Sequence, residues 1–545
     1  MKCDAVTVAF VLLVLVAFAP PVEAAKNLAP VACFTPSPGY GVEGTTYALD
    51  ASCTTDDKTP LDRLRFRWDF QNDGVWDTSF STGRIINVQY GAFGTKNIRL
   101  EVIDQSNLGG QTTRNILEFR TTAIPNSFGE TNIDVSPLDP QKLALSVHDV
   151  PWQPGPDSVP YPAFHSSDGG AQWSPGVGPG PIYMGDTNIR FDSAGNVLVS
   201  NLIDGDVGAV RGGLIVARST DGGATFATPT YAFNSDTLVR FKDGSLKTAC
   251  ANSTLRFDYP KLGADRSSTS QYRDNQYVVT RMSVDTNGDG SCDGGWFWAF
   301  RRFPAGGTDW DQAFIAGDDN ADPAGDFQNI AVAQDGTVYL AGGSYGPLCP
   351  SGIGIGLLKS TDGGGSFPNP LCVFNRTPTT IPDEMWSATD PANPSRVWIA
   401  FVALQLQPVI HRDIYVIRSS DAGATWSAPV RVDDVLPDDI VDRWKPTLSV
   451  GGNGRLDIAW FDYRNSSPKT YGGSWTQPLD VYYSWSVDGG ISWAPNVRLT
   501  PLAPGFGVGN DYLGIASSGT RAYVAYAQQQ VPGSSWQVYV ATIGH

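Results

Sequence analysis

The sequence predicts an all-β chain in two parts, a small antiparallel sandwich over residues 28–120 and a β-propeller over residues 128–545. Three observations predict it. No long segment carries helical periodicity. The 59 glycines, 39 prolines and abundant aromatics point to many short strands and tight turns. One short pattern of Ser or Thr, Asp, Gly and an aromatic ring recurs five times at fixed internal spacing.

The chain opens with Lys2 and an apolar run from Ala5 to Ala19, followed by small residues at Val22 to Ala24. This reads as a signal peptide over residues 1–24, too short for a comfortable membrane span. The mature protein is therefore expected to be exported, with no transmembrane segment. Beyond Cys3, six cysteines remain, an even number that suits disulfides in an oxidising compartment. Proximity in the chain favours Cys33 with Cys53, Cys250 with Cys292 and Cys349 with Cys372. A net charge of −17 makes nucleic acid or an anionic bilayer a poor partner. A soluble monomer is expected.

In the first part, "LRFRWDF" places Leu64, Phe66 and Trp68 on one face, and "KNIRLEVI" does the same with Ile98, Leu100 and Val102. Period-two patterning between glycine-rich turns argues for an antiparallel sandwich. At "RWDFQNDG" and "GTKNIRLEVIDQSNLGG" the segment resembles a PKD domain, an immunoglobulin-like module that commonly serves as spacer or adhesive unit on exported proteins. Asp69, Asp73 and Asp77 either approach a calcium loop or shape a turn, and the turn is favoured because Gln71 stands where an acid is usual.

In the second part, the repeated boxes are anchored at Asp168, Asp221, Asp362, Asp421 and Asp488, and "FPAGGTDWDQA" from Phe303 stands where a degenerate copy would fall. A second repeat lies upstream of each box. An acid opens a short apolar strand at Glu130, Asp186, Asp258, Asp326, Asp383, Asp442 and Asp511, although the first core residue follows after three positions in some copies and four in others. Seven units result, each with strands a to d and the box between c and d. Seven blades are expected, with six as the alternative. The last unit lacks an outer strand, which the segment before Glu130 can supply.

Within a box, Asp suits a tight turn, Gly supplies positive φ, and the ring can pack between sheets. The boxes resemble the Asp boxes, or BNR repeats, of sialidases and other propeller proteins. That resemblance implies a structural role on the blade periphery, away from the ligand site. Function is therefore expected at the other ends of the strands, where the acids gather and the b-to-c connections carry aromatic residues. Trp152, Trp296, Tyr471 and Trp475, with Arg190 and Arg464, are the candidate ligand-binding residues, in a pattern suited to sugar rings or to surface proteins. "SVDTNGDGSCDGG" offers Asp285, Asn287, Asp289 and Asp293 to a structural calcium, without the bidentate Glu of an EF-hand. No other cofactor is expected.

Sialidases use a tyrosine nucleophile assisted by Glu, an aspartic acid/base and an arginine triad. Their Arg-Ile-Pro motif is absent here, and the matching region reads "VPYPAFHSSDGG". Tyr512, Glu384 and Arg443, with Asp258, Asp383 and Asp442, are the catalytic candidates if the chain is a glycoside hydrolase, since two aspartates of the acidic series can also divide acid and base roles. The four histidines are scattered, which disfavours zinc catalysis. The formal Gly-x-Ser-x-Gly match at Ser344 has no helix pattern after it. Three functions remain open: binding of extracellular glycans or surface proteins, exo-sialidase-like glycan hydrolysis, and a purely structural surface role.

Overall fold

The structure is a computed structural model that describes residues 26–545, apart from 126, 150–158, 179–184, 204–211, 251–256, 285–295, 319–328, 408, 437–439, 467–478, 501–511 and 530–535. The expected signal peptide, Trp152, the calcium loop with Cys292, Asp326, Tyr471, Trp475 and Asp511 lie outside the described residues. Trp296 is described in its backbone alone. Among the described residues there is no α-helix, and no helix long and apolar enough to cross a membrane. The chain divides into two compact units, residues 1–39, 46–88 and 96–116 in one, and 40–45, 89–95 and 117–545 in the other.

In the smaller unit, strand Thr35–Ser37 pairs with Thr46–Asp50, and Arg65–Asp69 pairs antiparallel with the register Phe66 to Val102 and Trp68 to Leu100. The alternation in sequence is thereby converted into one apolar layer. Leu64, Phe66, Trp68, Ile98, Leu100 and Val102 are all buried, and Phe34 meets Trp68 edge-on at 5.0 Å. Cys33–Cys53 ties the layer's edge. Asp69 accepts hydrogen bonds from the backbone N–H groups of Asp73 and Gly74 and pairs with Arg99 at 2.7 Å, while Asp77 accepts from the Phe70 N–H. These acids spend their oxygens on the turn.

The larger unit is built from successive antiparallel meanders. The first four-stranded sheet runs Phe128–Val135, Leu143–Asp149, Val159–Ser166 and Ser174–Gly178. Sheets of the same order begin at Asn188–Phe191, Phe257–Ala264, Ala331–Val332, Thr380–Asp390 and Arg443–Val450. The third also carries the hairpin Val239–Arg240 and Leu246–Lys247 on its last strand. A seventh begins with Gly514–Ser517, Arg521–Gln529 and Trp536–Gly544. Its fourth strand comes from the other end of the chain: Phe119–Ile124 of strand Gly109–Ile124 pairs antiparallel with Ile543 back to Val538.

The first strands of consecutive sheets touch one another in order, and that of the seventh touches that of the first. Every adjacent pair of sheets, the seventh and first included, encloses a buried apolar cluster. The core therefore lies between sheets, where each face can be covered on both sides.

The repeated box occupies the third turn of five sheets. In the fifth sheet, Ser419 Oγ donates to Asp421 Oδ1 at 2.7 Å and accepts from Gly423 N–H at 2.8 Å, while Asp421 accepts from Thr425 N–H at 2.8 Å and Thr425 Oγ1 at 2.5 Å. The same Ser-to-Asp bond recurs at Asp168, Asp221, Asp362 and Asp488. The ring that ends the box, such as Phe226, Phe367, Trp426 or Trp493, packs into the cluster shared with the preceding sheet. The residue after Asp is in the left-handed region in all five copies, Gly169, Gly222, Gly363, Ala422 and Gly489, so Ala422 carries a conformation that glycine adopts without a Cβ penalty. Cys349–Cys372 spans the fourth sheet, and Cys250 is also disulfide-bonded.

Candidate functional site at the strand entries

The first strands enter the ring through distorted backbone. The pairing register slips between Phe128 and Thr131, Asp258 and Lys261, Asp383 and Met385, and Trp444 and Thr447. Gly129, Asp186, Tyr259, Glu384 and Lys445 adopt positive φ at these entries. A bulge of this kind re-aims side chains.

The entries of the first, second, third and seventh sheets bring Glu130, Asp186, Asp258, Tyr259, Lys261 and Tyr512 together. Tyr259 N–H donates to Asp258 Oδ1 at 2.9 Å and to Asp186 Oδ2 at 3.3 Å. The Tyr259 and Tyr512 rings meet edge-to-face at 5.9 Å. Lys261 Nζ lies 3.6 Å from the Tyr512 ring centroid and 5.8 Å from that of Tyr259. Arg281 also lies over Tyr259, at 5.6 Å. On the next strand of the first sheet, His148 Nδ1 stands 3.2 Å from Glu130 Oε2.

Burial dominates the electrostatics here. Burial and the neighbouring Glu130 push the Asp186 carboxyl well above its ordinary range. Burial also opposes ionisation of Glu130, but His148, Asp186 and Lys261 together hold it below its ordinary value. The two members of the pair are thus pushed in opposite directions. Burial brings the Lys261 ammonium down to about 8, against the pull of Asp186 and Glu130. Burial and the nearby carboxylates raise the Tyr512 phenol well above its ordinary value, so it stays protonated.

One ligand atom each from Glu130, His148 and Asp186 lies within 4.8 Å of the others, a spacing a metal ion can bridge. The same carboxyl groups already have positive charge from Lys261 acting on them. The acidic series therefore does not form a uniform ring of carboxylates. In the fifth and sixth sheets the entry is an ion pair: Lys445 Nζ meets Glu384 Oε1 at 2.8 Å, and Lys445 N–H donates to Glu384 Oε2 at 2.8 Å. Asp383 accepts from the Glu384 N–H at 2.9 Å. Asp442 is fully buried and pairs with Arg412 at 3.3 Å.

The arginines singled out in the sequence are held by other acids or line another cavity. Arg443 is fully buried among Asp413, Asp433 and Asp462 at 2.8, 3.3 and 3.4 Å. Arg464 pairs with Asp462 and Asp434 at 2.7 Å each, and its guanidinium lies 3.8 Å from the Tyr482 ring centroid. Both belong to a network within the fifth and sixth sheets. Arg190 lines a cavity at the exit ends of the first strands. Glu384 is engaged by Lys445, and Tyr512 by Lys261. Ser344 is buried at the end of strand Val338–Ser344. Sequence reading missed Lys261, Lys445, Tyr259, His148 and Arg281. The "DYPK" and "DRWK" strings held a signal, since each repeats an acid with a lysine three residues later.

The described residues define an all-β protein whose larger unit has a propeller-like arrangement of sheets. No family model and no curated protein matches the chain. Among solved structures it is similar to a Hadza microbial sialidase, at 12% identity over 90% of this chain and 91% of that one, TM-score 0.38. It is also similar to Penicillium chrysogenum alpha-L-arabinanase complexed with arabinobiose, at 12% identity over 65% and 92%, TM-score 0.36. The PKD1 domain of Vibrio anguillarum Epp is similar at 23% identity over 17% of this chain and 96% of that domain, TM-score 0.14. Similarity of this extent assigns no activity to the chain.

Proposed function

We propose that the chain is an exported glycan-binding protein, with a PKD-like sandwich ahead of a seven-bladed Asp-box propeller, and that the strand-entry end is its binding face. One observation carries this reading: partly exposed Tyr259 has its backbone N–H held by Asp186 and Asp258 and Arg281 over its ring. An aromatic ring with carboxyl groups and a cation close by offers stacking and hydrogen bonds to a sugar ring at once. A glycan array on the whole protein, run beside a panel of fluorogenic glycosides, tests the reading. Binding without turnover, lost in Tyr259→Ala, supports it. Turnover of any glycoside, or glycan binding unchanged in Tyr259→Ala, rejects it.

A second reading, glycoside hydrolysis, is favoured by the opposite shifts of the Glu130 and Asp186 carboxyl groups. These two groups are closer than the roughly 5 Å or more that separates carboxyl groups acting across a glycosidic bond. Asp258 would have to supply the second role. The ion-paired Glu384 and the caged Arg443 leave the tyrosine–glutamate and arginine elements of sialidase chemistry unassembled among the described residues.

A further inference from the structure

At the opposite ends of the same first strands lies a cavity of about 620 Å³ to which all seven sheets contribute. Its volume falls within the range of small-molecule sites. Its charge runs against that of the chain. The lining holds Arg190, Arg266 and Arg273 but only two acids, Asp134 and Asp265, in a protein of net charge −17.

The acids are already committed. Asp134 takes Arg266 Nη1 at 3.1 and 2.9 Å through its two oxygens and the Phe191 N–H at 2.9 Å. Asp265 accepts from the Ser267 N–H at 3.0 Å and from Ser270 Oγ at 2.5 Å. Arg273 Nε donates to Ser193 Oγ at 2.7 Å and has Asp274 at 3.8 Å.

Arg190 differs from its neighbours. Its Nη1 donates to Asn132 Oδ1 at 2.6 Å and to the Ile189 carbonyl at 2.7 Å. Among the described residues no carboxylate reaches its ion-pairing distance, and Nε and Nη2 make no hydrogen bond. The side chain is deep in the ring, yet it keeps accessible surface where it lines the cavity. Burial, with the nearby Arg266, lowers its affinity for a proton against the pull of Asp134. A desolvated guanidinium with one free edge is a site for a planar oxyanion. Ser268 and Ser449, both with accessible surface, line the same cavity. Their hydroxyl groups can donate to and accept from a polyol.

We propose that this cavity binds a small carboxylated polyol, its carboxylate on the free edge of Arg190 and its hydroxyl groups against the serine-bearing wall. The site is separate from the strand-entry face and stands or falls independently of the function proposed there.

Calorimetric titration of the whole protein with D-glucuronate, D-glucose and inorganic sulfate at low ionic strength tests it. Glucuronate is expected to bind, with glucose and sulfate each at least about 10-fold weaker, because one lacks the charge and the other the ring. Arg190→Gln is expected to weaken glucuronate by about 10-fold or more. Arg190→Lys, which keeps a charge but not the planar edge, is expected to weaken glucuronate several-fold. No binding of glucuronate by the native protein overturns the proposal. So does equal binding of glucose or sulfate, or unchanged affinity in a folded Arg190→Gln variant. Should Arg190→Gln not fold, unchanged glucuronate affinity in Arg190→Lys overturns it alone.

Discussion

Lys261 Nζ sits 3.6 Å from the centroid of the Tyr512 ring, and the ring in turn meets Tyr259. The contact joins a buried cation to the face of a phenol whose own proton is held firmly. It makes Tyr512 a platform for Lys261, with an aromatic face as its working part.

Tyr512→Phe keeps that face and is therefore expected to leave stability and glycan affinity near native. Tyr512→Leu removes the cation–π contact and is expected to cost about 1–2 kcal/mol in urea unfolding. Loss of function in Tyr512→Phe with native stability would instead assign work to the hydroxyl.

Gly185 has φ of +133°, and a Cβ there would lie 2.5 Å from His148 Cε1. Gly185→Ala must displace the imidazole that faces Glu130. Weaker glycan binding, with the melting temperature lowered only modestly, is the expected outcome. Native affinity would show that His148 has no part in arranging the entry cluster.

Arg443→Met removes the cation from a cage of three aspartates and leaves their charges in the interior. A loss of about 3–5 kcal/mol is expected from urea unfolding.

The box carboxylates give acid sensitivity with a definite sign. Hydrogen bonds from Thr425 and Ser419 lower the Asp421 carboxyl from 3.8 to about 2. A depressed carboxyl contributes stability above its unfolded value, and that contribution is lost as pH falls through the folded one. The stability gap between the native protein and Asp421→Asn should be constant above about pH 5 and shrink between pH 4 and 2. Urea unfolding at pH 7, 4 and 2 measures it. Glycan affinity at pH 7 should not change, because the box lies at the third turn of its sheet.

Ala422 holds φ of +56° where the other four copies have glycine. Ala422→Gly removes the Cβ strain but adds freedom to the unfolded chain, so a net gain of about 0.5 kcal/mol is expected. A loss of stability would mean that the backbone relaxes on substitution.

The sheets were legible in the sequence because their signals are local. Each box fixes one turn through bonds among residues such as Ser419, Asp421 and Thr425, and the same letters mark the same turn. The alternation of Leu64, Phe66 and Trp68 was legible for the same reason. The acidic series located Glu130, Asp186 and Asp258 at strand entries. It did not reveal that Lys261 and Lys445 interleave with them, because positive φ at Tyr259 and Lys445 breaks the period-two rule there. Arg443 and Arg464 looked free to bind an acid because their partners, Asp413, Asp433 and Asp434, belong to strands and turns paired only in three dimensions.

The pairing of Phe119–Ile124 with Val538–Ile543 has a consequence for how the protein is made. The two partners are separated by roughly 400 residues, a long loop to close, although the entropic cost grows only slowly with length. The early strand must wait beside six finished neighbours until the last hairpin emerges. Until then its hydrogen-bonding edge is open, and so is that of the strand it will meet. A nascent chain stalled before its final strand is thus an adhesive object, whereas the finished ring is latched by a contact that no segment of the chain can make alone.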